Sequence, residues 1–184
     1  MLFLALLMTA LADSAAPRVE MKTSVGTVLI ELDAERAPVT VANFLRYVDG
    51  KLYDGGVVHR TVTMANQPQN QVKIEVIQGG PRLKTTAFPP IPLERTNKTG
   101  LRHLDGTLSM ARSGPDTATG DFFICIGDQP SLDFGGARNP DGEGFAAFGR
   151  VLDGMEVVRK IQRSKADGQR LAPPIEILEV RRVK

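Results

Sequence analysis

The feature of this sequence that most limits its fold is a rhythm of short strand-forming runs. Glu20–Thr23, Thr27–Leu32, Val57–Val62, Ile74–Gln78, Thr107–Ala111, Phe122–Ile126, Ala146–Val151 and Ile175–Val180 are rich in β-branched, aliphatic or aromatic residues, and turn residues mostly set them apart. Val25-Gly26 reads as a tight hairpin between the first two. Only two stretches carry helical spacing. Between Pro38 and Gly50, the residues Val41, Phe44, Leu45 and Val48 form one apolar stripe, with proline opening the helix and glycine just past its end. After Asp153-Gly154, the residues Met155, Val158 and Ile161 form a second stripe, and Arg159, Lys160, Arg163 and Lys165 around it read as a solvated face. Eight short antiparallel strands close naturally into a barrel that side chains just fill. The expected architecture is mainly β: a closed eight-stranded antiparallel β-barrel capped by two α-helices. A filled barrel has no lumen, so any site must lie on its outside.

Length and composition agree with a single packed domain: 184 residues, of which 42% are hydrophobic and 24% charged. The domain is expected over residues 17–184, with the basic tail Arg181-Arg182-Val183-Lys184 fraying. The Pro-rich segment from Pro81 to Pro92 reads as an ordered surface connection. A formal charge of +2 gives no ground for nucleic acid or an anionic membrane as partner. Cys125 is the one cysteine, so no internal disulfide can form, and its place inside a strand pattern reads as a buried, inert thiol.

Residues 1–16 stand apart. Leu2–Ala12 is an apolar run of leader length, well short of the roughly 20 residues of a membrane-spanning helix. Ala10-x-Ala12 and Ser14-x-Ala16 both offer small-residue cleavage sites. Read as a signal peptide, the run predicts a periplasmic or secreted bacterial protein with no stable membrane insertion after processing. The departure is that no Lys or Arg precedes Arg18, where such a leader carries positive charge at its start.

The most particular stretch is Gly106–Leu132, read as strand, polar loop and strand. Ser113-Gly114-Pro115-Asp116 supplies the turn chemistry, and Phe122, Ile124 and Ile126 should face opposite to Phe123 and Cys125. Leu108-Ser109-Met110-Ala111, then Gly114-Pro115 and Thr117, then Phe122-Phe123-Ile124, resemble the signature of the cyclophilin family of peptidyl-prolyl cis/trans isomerases. Other blocks follow in register: Ala37–Phe44 (A-P-V-T-V-A-N-F), Tyr53-Asp54-Gly55 before His59-Arg60, Gln78-Gly79-Gly80, and Phe148-Gly149-Arg150-Val151. Together they span essentially Val19 to Val183.

The reaction this family catalyses asks little of a protein. An X-Pro bond prefers trans by only ~0.5–1 kcal/mol, yet rotation crosses a barrier of ~18–20 kcal/mol that is lost amide resonance. A catalyst need only favour the twisted state, in which the prolyl nitrogen becomes pyramidal and gains a lone pair. A fixed cationic donor aimed at that nitrogen strengthens as the bond twists. Arginine suits the task because its planar fork is always charged. The resemblance implies that Arg60 is this donor and that Gln78 orients it and contacts the substrate backbone. It implies further that Val76, Phe123 and Leu132 line a proline pocket with Phe145 at its rim, and that Ala111 and Arg112 offer backbone groups to the residue before proline. No cofactor or metal is implied. The implied partners are unfolded or partly folded proteins and X-Pro peptides, bound by a monomer. The second reading is a non-catalytic proline-peptide-binding or chaperone module with the same fold.

This sequence departs from the family pattern in four places. The Arg60-to-Gln78 spacing is longer than in most relatives, the extra polar residues lying near Ala65–Val72. The usual phenylalanine before the glutamine falls at Glu75, or at Ile74 if the register shifts by one, which predicts a gap in the pocket wall. Asp121 stands where many members have glutamine, and Ser131 where animal members have tryptophan. Gly142–Ala147 fits a loose dinucleotide fingerprint but has no strand before it and no helix after it, so it reads as loop. His59 and His103 are far apart in sequence and show no evident partners there, and Asn97-Lys98-Thr99 is a formal glycosylation sequon without further support.

Overall fold

A computed structural model describes residues 16–82 and 87–184, so the expected leader lies, except for Ala16, outside the described residues. The strands are β1 (Arg18–Thr23), β2 (Gly26–Leu32), β3 (Gly56–Val62), β4 (Val76–Gly80), β5 (Thr107–Met110), β6 (Phe122–Cys125), β7 (Ala147–Asp153), β8 (Ala166–Asp167) and β9 (Arg170–Val183). The helices are α1 (Pro38–Asp49), α2 (Thr96–Thr99) and α3 (Met155–Gln162). Neighbouring strands run β1-β2-β7-β5-β6-β4-β3-β9, and β9 pairs back onto β1, which closes the sheet into the expected antiparallel barrel. β8 is a short arm folded onto the start of β9.

Two details differ from the sequence expectation. The sequon residues belong to α2, a helix of one turn that the polar run does not announce. The final strand is also far longer than Ile175–Val180, and its basic end does not fray. It pairs with β1 as far as Arg18↔Val183, while Arg181 bonds Glu20 at 2.8 Å and Arg182 bonds Asp49 at 2.6 Å. Pro173-Pro174 hides this continuity in the sequence. The two prolines fall in an irregularity, where the β3–β9 register jumps from Val58↔Ile175 to Arg60↔Arg170. A bulge tolerates residues that cannot donate to the ladder.

The barrel interior is filled by alternate strand residues, among them Val19, Ile30, Leu32, Val58, Ile77, Leu108, Phe122, Ile124, Phe148 and Ile177. The stripe of α1 (Val41, Phe44, Leu45, Val48) joins this core, as do Val157, Val158 and Ile161 of α3. β6 alternates as its sequence requires: Phe122 and Ile124 enter the barrel, while Phe123 and Cys125 join a second apolar cluster with Val62, Ile74, Val76 and Leu132. Cys125 is fully buried there, and burial pushes its thiol far above the ordinary range, so it is packing rather than a nucleophile. The polar loop between β5 and β6 is pinned from several sides. Asn43 of α1 donates to Thr119 O at 2.6 Å, Tyr53 Oη donates to Gly120 O at 2.8 Å, and Asp116 Oδ1 accepts from the Leu93 amide at 2.8 Å.

Candidate active site

Strand register assembles the site. Arg60 lies opposite Gln78, Gln78 opposite Phe123, and Phe123 opposite Ser109, so one row of side chains crosses β3, β4, β6 and β5. Cross-strand partners share a face, and so do residues two apart on a strand. A second row, Val62–Val76–Cys125, therefore runs beside the first on the same face. The first row goes from cation through amide to aromatic ring, and the second is wholly apolar. Leu132 of the 3-10 turn Pro130–Leu132 closes the second row, and Ala111 and Phe145 pack against it partly exposed.

Arg60 Nη1 donates to Gln78 Oε1 at 2.9 Å. Burial, and then the charge of Arg138, lower the pKa of Arg60, which still leaves an arginine fully charged in water-compatible conditions. Phe123 is 4% exposed, with Phe145 set edge-on to it at 5.3 Å between ring centres. His103 stacks under Phe123 with centroids 5.9 Å apart. Contrary to the sequence reading, His103 has partners: its Nδ1 lies 2.7 Å from Asp133 Oδ1 and its Nε2 2.9 Å from Ser109 Oγ. The chain Ser109–His103–Asp133 has the connectivity of a hydrolase triad. Ser109 is completely buried beneath Phe123, however, so no acyl group can reach Oγ, and the three residues serve as a rigid floor.

The expected site residues divide by what they can offer. Val76, Phe123, Leu132, Phe145 and Ala111 meet in one apolar cluster. The Ala111 amide is occupied, donating to Asp121 O at 2.9 Å, which leaves its carbonyl as the group for a ligand. The Arg112 side chain turns inward. It donates from Nε to Gly144 O at 2.7 Å, forks onto Asp141 at 2.8 and 3.0 Å, and lies over the Phe145 ring. That fork holds the Asp141 carboxyl down at about 2, so the loop carrying Phe145 stays fastened well into acid. Where a gap was expected at Glu75, Ile74 is buried in the same apolar cluster, while Glu75 faces away and accepts from Gln162 Nε2 at 2.8 Å. Val62 and Cys125 are also buried in this cluster. Their alternation with Arg60 and Phe123 was the available signal.

Asp121 sits beside this row, pressed so close to Gly80 that a Cβ there would collide with its carboxylate. Burial raises its pKa, and His59 and Gln78 offset that only in part. A carboxyl whose folded pKa lies above its unfolded value favours folding when protonated, so its contribution is complete at low pH and is lost as pH rises through the raised value. Asp121→Asn is therefore expected to raise stability at neutral pH. That gain should shrink to nothing as pH falls into the ordinary carboxylate range, a trend to be read from denaturant midpoints across pH. A gain that persists unchanged in acid would contradict it.

Residues 18–182 match the family described as cyclophilin type peptidyl-prolyl cis-trans isomerase/CLD. Peptidyl-prolyl cis-trans isomerase A of Dickeya dadantii is 38% identical over 86% of this chain and 77% of its own. A peptidyl-prolyl cis-trans isomerase of Acinetobacter baylyi is 40% identical over 78% of this chain and 70% of its own. Among solved structures, a Cryptosporidium parvum cyclophilin type isomerase, determined in the presence of the dipeptide Ala-Pro, superposes with a TM-score of 0.74 at 21% identity and covers 91% of this chain and 99% of its own, a likeness of fold. The closed barrel and the sequence identities lead to one assignment: this chain belongs to the cyclophilin-type peptidyl-prolyl cis-trans isomerase family.

Proposed function

We propose that the protein rotates X-Pro peptide bonds, with Arg60 as the donor to the prolyl nitrogen and Gln78 as its partner. The observation that carries this reading is a guanidinium held 2.9 Å from Gln78 in the same cross-strand row as Phe123, the aromatic member of the apolar cluster. The pocket of Val62, Ile74, Val76, Phe123 and Leu132 takes the proline ring and excludes water from it. The Ala111 carbonyl accepts from the backbone on the other side of the bond. As the amide twists, its nitrogen gains a lone pair, and the Arg60 hydrogen bond strengthens with it. No bond is made or broken covalently.

Substrates are then unfolded or partly folded chains that present an exposed proline. We propose that it acts on them as a monomer, a reading supported among the described residues by the pairing of β9 with β1, which leaves only the two-residue β8 at a sheet edge. The test is NMR exchange spectroscopy on a short X-Pro peptide, with affinity measured on the same sample. Exchange well above the spontaneous rate supports the enzyme; peptide binding at the spontaneous rate would identify a non-catalytic peptide-binding module. We propose also that the apolar run Leu2–Ala12 directs export. Envelope-fraction protein should then have the intact mass of a chain starting at Asp13 or Pro17. Full-length protein recovered from the cytosol would refute this.

A further inference from the structure

We infer that Gln169, at the tip of the β8–β9 hairpin, is a positioning residue for Arg60; the inference rests on Arg60 being the catalytic donor proposed above. Gln169 Oε1 accepts from Arg60 Nε at 2.9 Å and from Arg60 Nη2 at 2.6 Å, gripping one edge of the guanidinium. Gln78 holds Nη1. A guanidinium has five N–H donors, so these bonds leave one hydrogen on each terminal nitrogen for a substrate. The long, flexible stem of the arginine is thereby reduced to one pose.

The grip is itself fixed. Gln169 Nε2 donates to Asn66 O at 3.2 Å, which decides that its oxygen, not its nitrogen, faces Arg60. Asn66 Nδ2 in turn donates to Gly168 O at 3.1 Å and to Thr61 O at 3.0 Å, while Asn66 Oδ1 accepts from the Thr63 amide at 2.9 Å. The Gln169 carbonyl accepts from the Thr61 amide at 2.9 Å, locking the hairpin tip to the residue after Arg60. Asn66 belongs to the lengthened segment between Arg60 and Gln78. That segment therefore does more than span a gap: it holds the acceptor that orients the guanidinium.

The residue type matters as much as the place. A carboxylate at position 169 would satisfy the same two donors, but its negative charge would oppose the positive field on which stabilisation of the twisted amide depends. A neutral amide fixes the geometry and leaves the charge at full strength. Gln169→Ala should loosen the donor, and Gln169→Glu should hold it while weakening its field.

Exchange of an X-Pro peptide, with kcat and KM resolved, is to be measured for Arg60→Ala, Gln169→Ala, Gln169→Glu and the double variant Arg60→Ala/Gln169→Ala. The Arg60 Nε–H signal is followed by 15N NMR alongside. Gln169→Ala should lower kcat roughly tenfold to a hundredfold with little change in KM, the loss expected when a reacting group is misplaced by an ångström. Its Nε–H signal should broaden, because the hydrogen then exchanges with water. Gln169→Glu should lose rate while that signal stays sharp. On the Arg60→Ala background the Gln169 change should have no further effect, since Gln169 acts only through Arg60. If alanine unfolds the hairpin, Gln169→Met, similar in length and without the acceptor, takes its place. If Arg60→Ala is slow but the Gln169 variants turn over at the parent rate, or lose rate equally with and without Arg60, the positioning inference is overturned and the catalytic reading stands. If Arg60→Ala remains fast, the catalytic reading itself fails.

Discussion

Replacing Arg60 by alanine is expected to slow X-Pro exchange by about 10²–10³, the equivalent of about 3–4 kcal/mol of transition-state stabilisation. Its side chain lies outside the barrel and contributes nothing to the interior core, so the fold should persist. Arg60→Lys should be nearly as slow. An ammonium on a flexible stem cannot bond Gln78 and both acceptor directions of Gln169 at once and still present a donor to substrate. The comparison separates charge from geometry, because lysine keeps the first and loses the second. NMR exchange rates on a single peptide, with denaturation curves for each variant, measure both. A fast Arg60→Lys would mean that charge alone suffices and that the hydrogen-bonded frame is incidental.

Phe123→Ala should be the most damaging change in the pocket, because it strikes binding and stability together. The ring covers the His103–Ser109 pair, packs edge-on to Phe145 and floors the apolar cluster. Removing a buried phenylalanine ring costs about 3–5 kcal/mol, a large part of the 5–15 kcal/mol that holds a typical domain together. The damage is greater than a cavity, since water would then reach a hydrogen-bonded chain built to be dry. Phe123→Leu separates the two effects: about 1 kcal/mol of stability lost by a smaller, apolar substitution, against a clear drop in peptide affinity because a flat face is gone. Urea unfolding and peptide titration read these independently. Unchanged affinity in the leucine variant would move the proline pocket elsewhere.

The sequence discloses those features that arise from alternation and fails where contacts are long-range and polar. Strand period alone sets Phe122 and Ile124 on one face and Phe123 and Cys125 on the other, and the structure turns the first pair into the barrel. Pro38 opens α1 for a local reason, and Gly50 stands just past its end, although the left-handed residue there is Lys51 (φ 54) and not the glycine. Arg60 and Gln78 could be named from surrounding motifs, although their spacing looked anomalous. The structure shows them directly paired across β3 and β4, with the extra residues looped out between the strands. Gln169 left no such trace. It lies in a polar run after α3, and its partner Arg60 is 109 residues away in sequence, so only the hairpin's register brings them together. His103 was equally silent, since Asp133 and Ser109 reach it from two other segments. The proline pair in β9 misled in the opposite direction, breaking a pattern where the strand itself continues through a bulge.

Closure of the barrel by β1 and β9 has a consequence for how the chain acquires its shape during synthesis. Val19 and Met21, fully inside the finished core, sit on a strand flanked by β2 on one side and by β9 on the other. The hairpin partner emerges at once, but the second appears only after more than a hundred further residues have left the ribosome. Until then one border of the sheet has unpaired amides and carbonyls, and the interior is open along that seam. Contacts this distant in sequence make assembly slow, because a large entropy of loop closure precedes their reward. A chain of the prolyl-isomerase family thus completes its own fold only when its final strand arrives, and in that interval it exposes the apolar surface of an unfinished core.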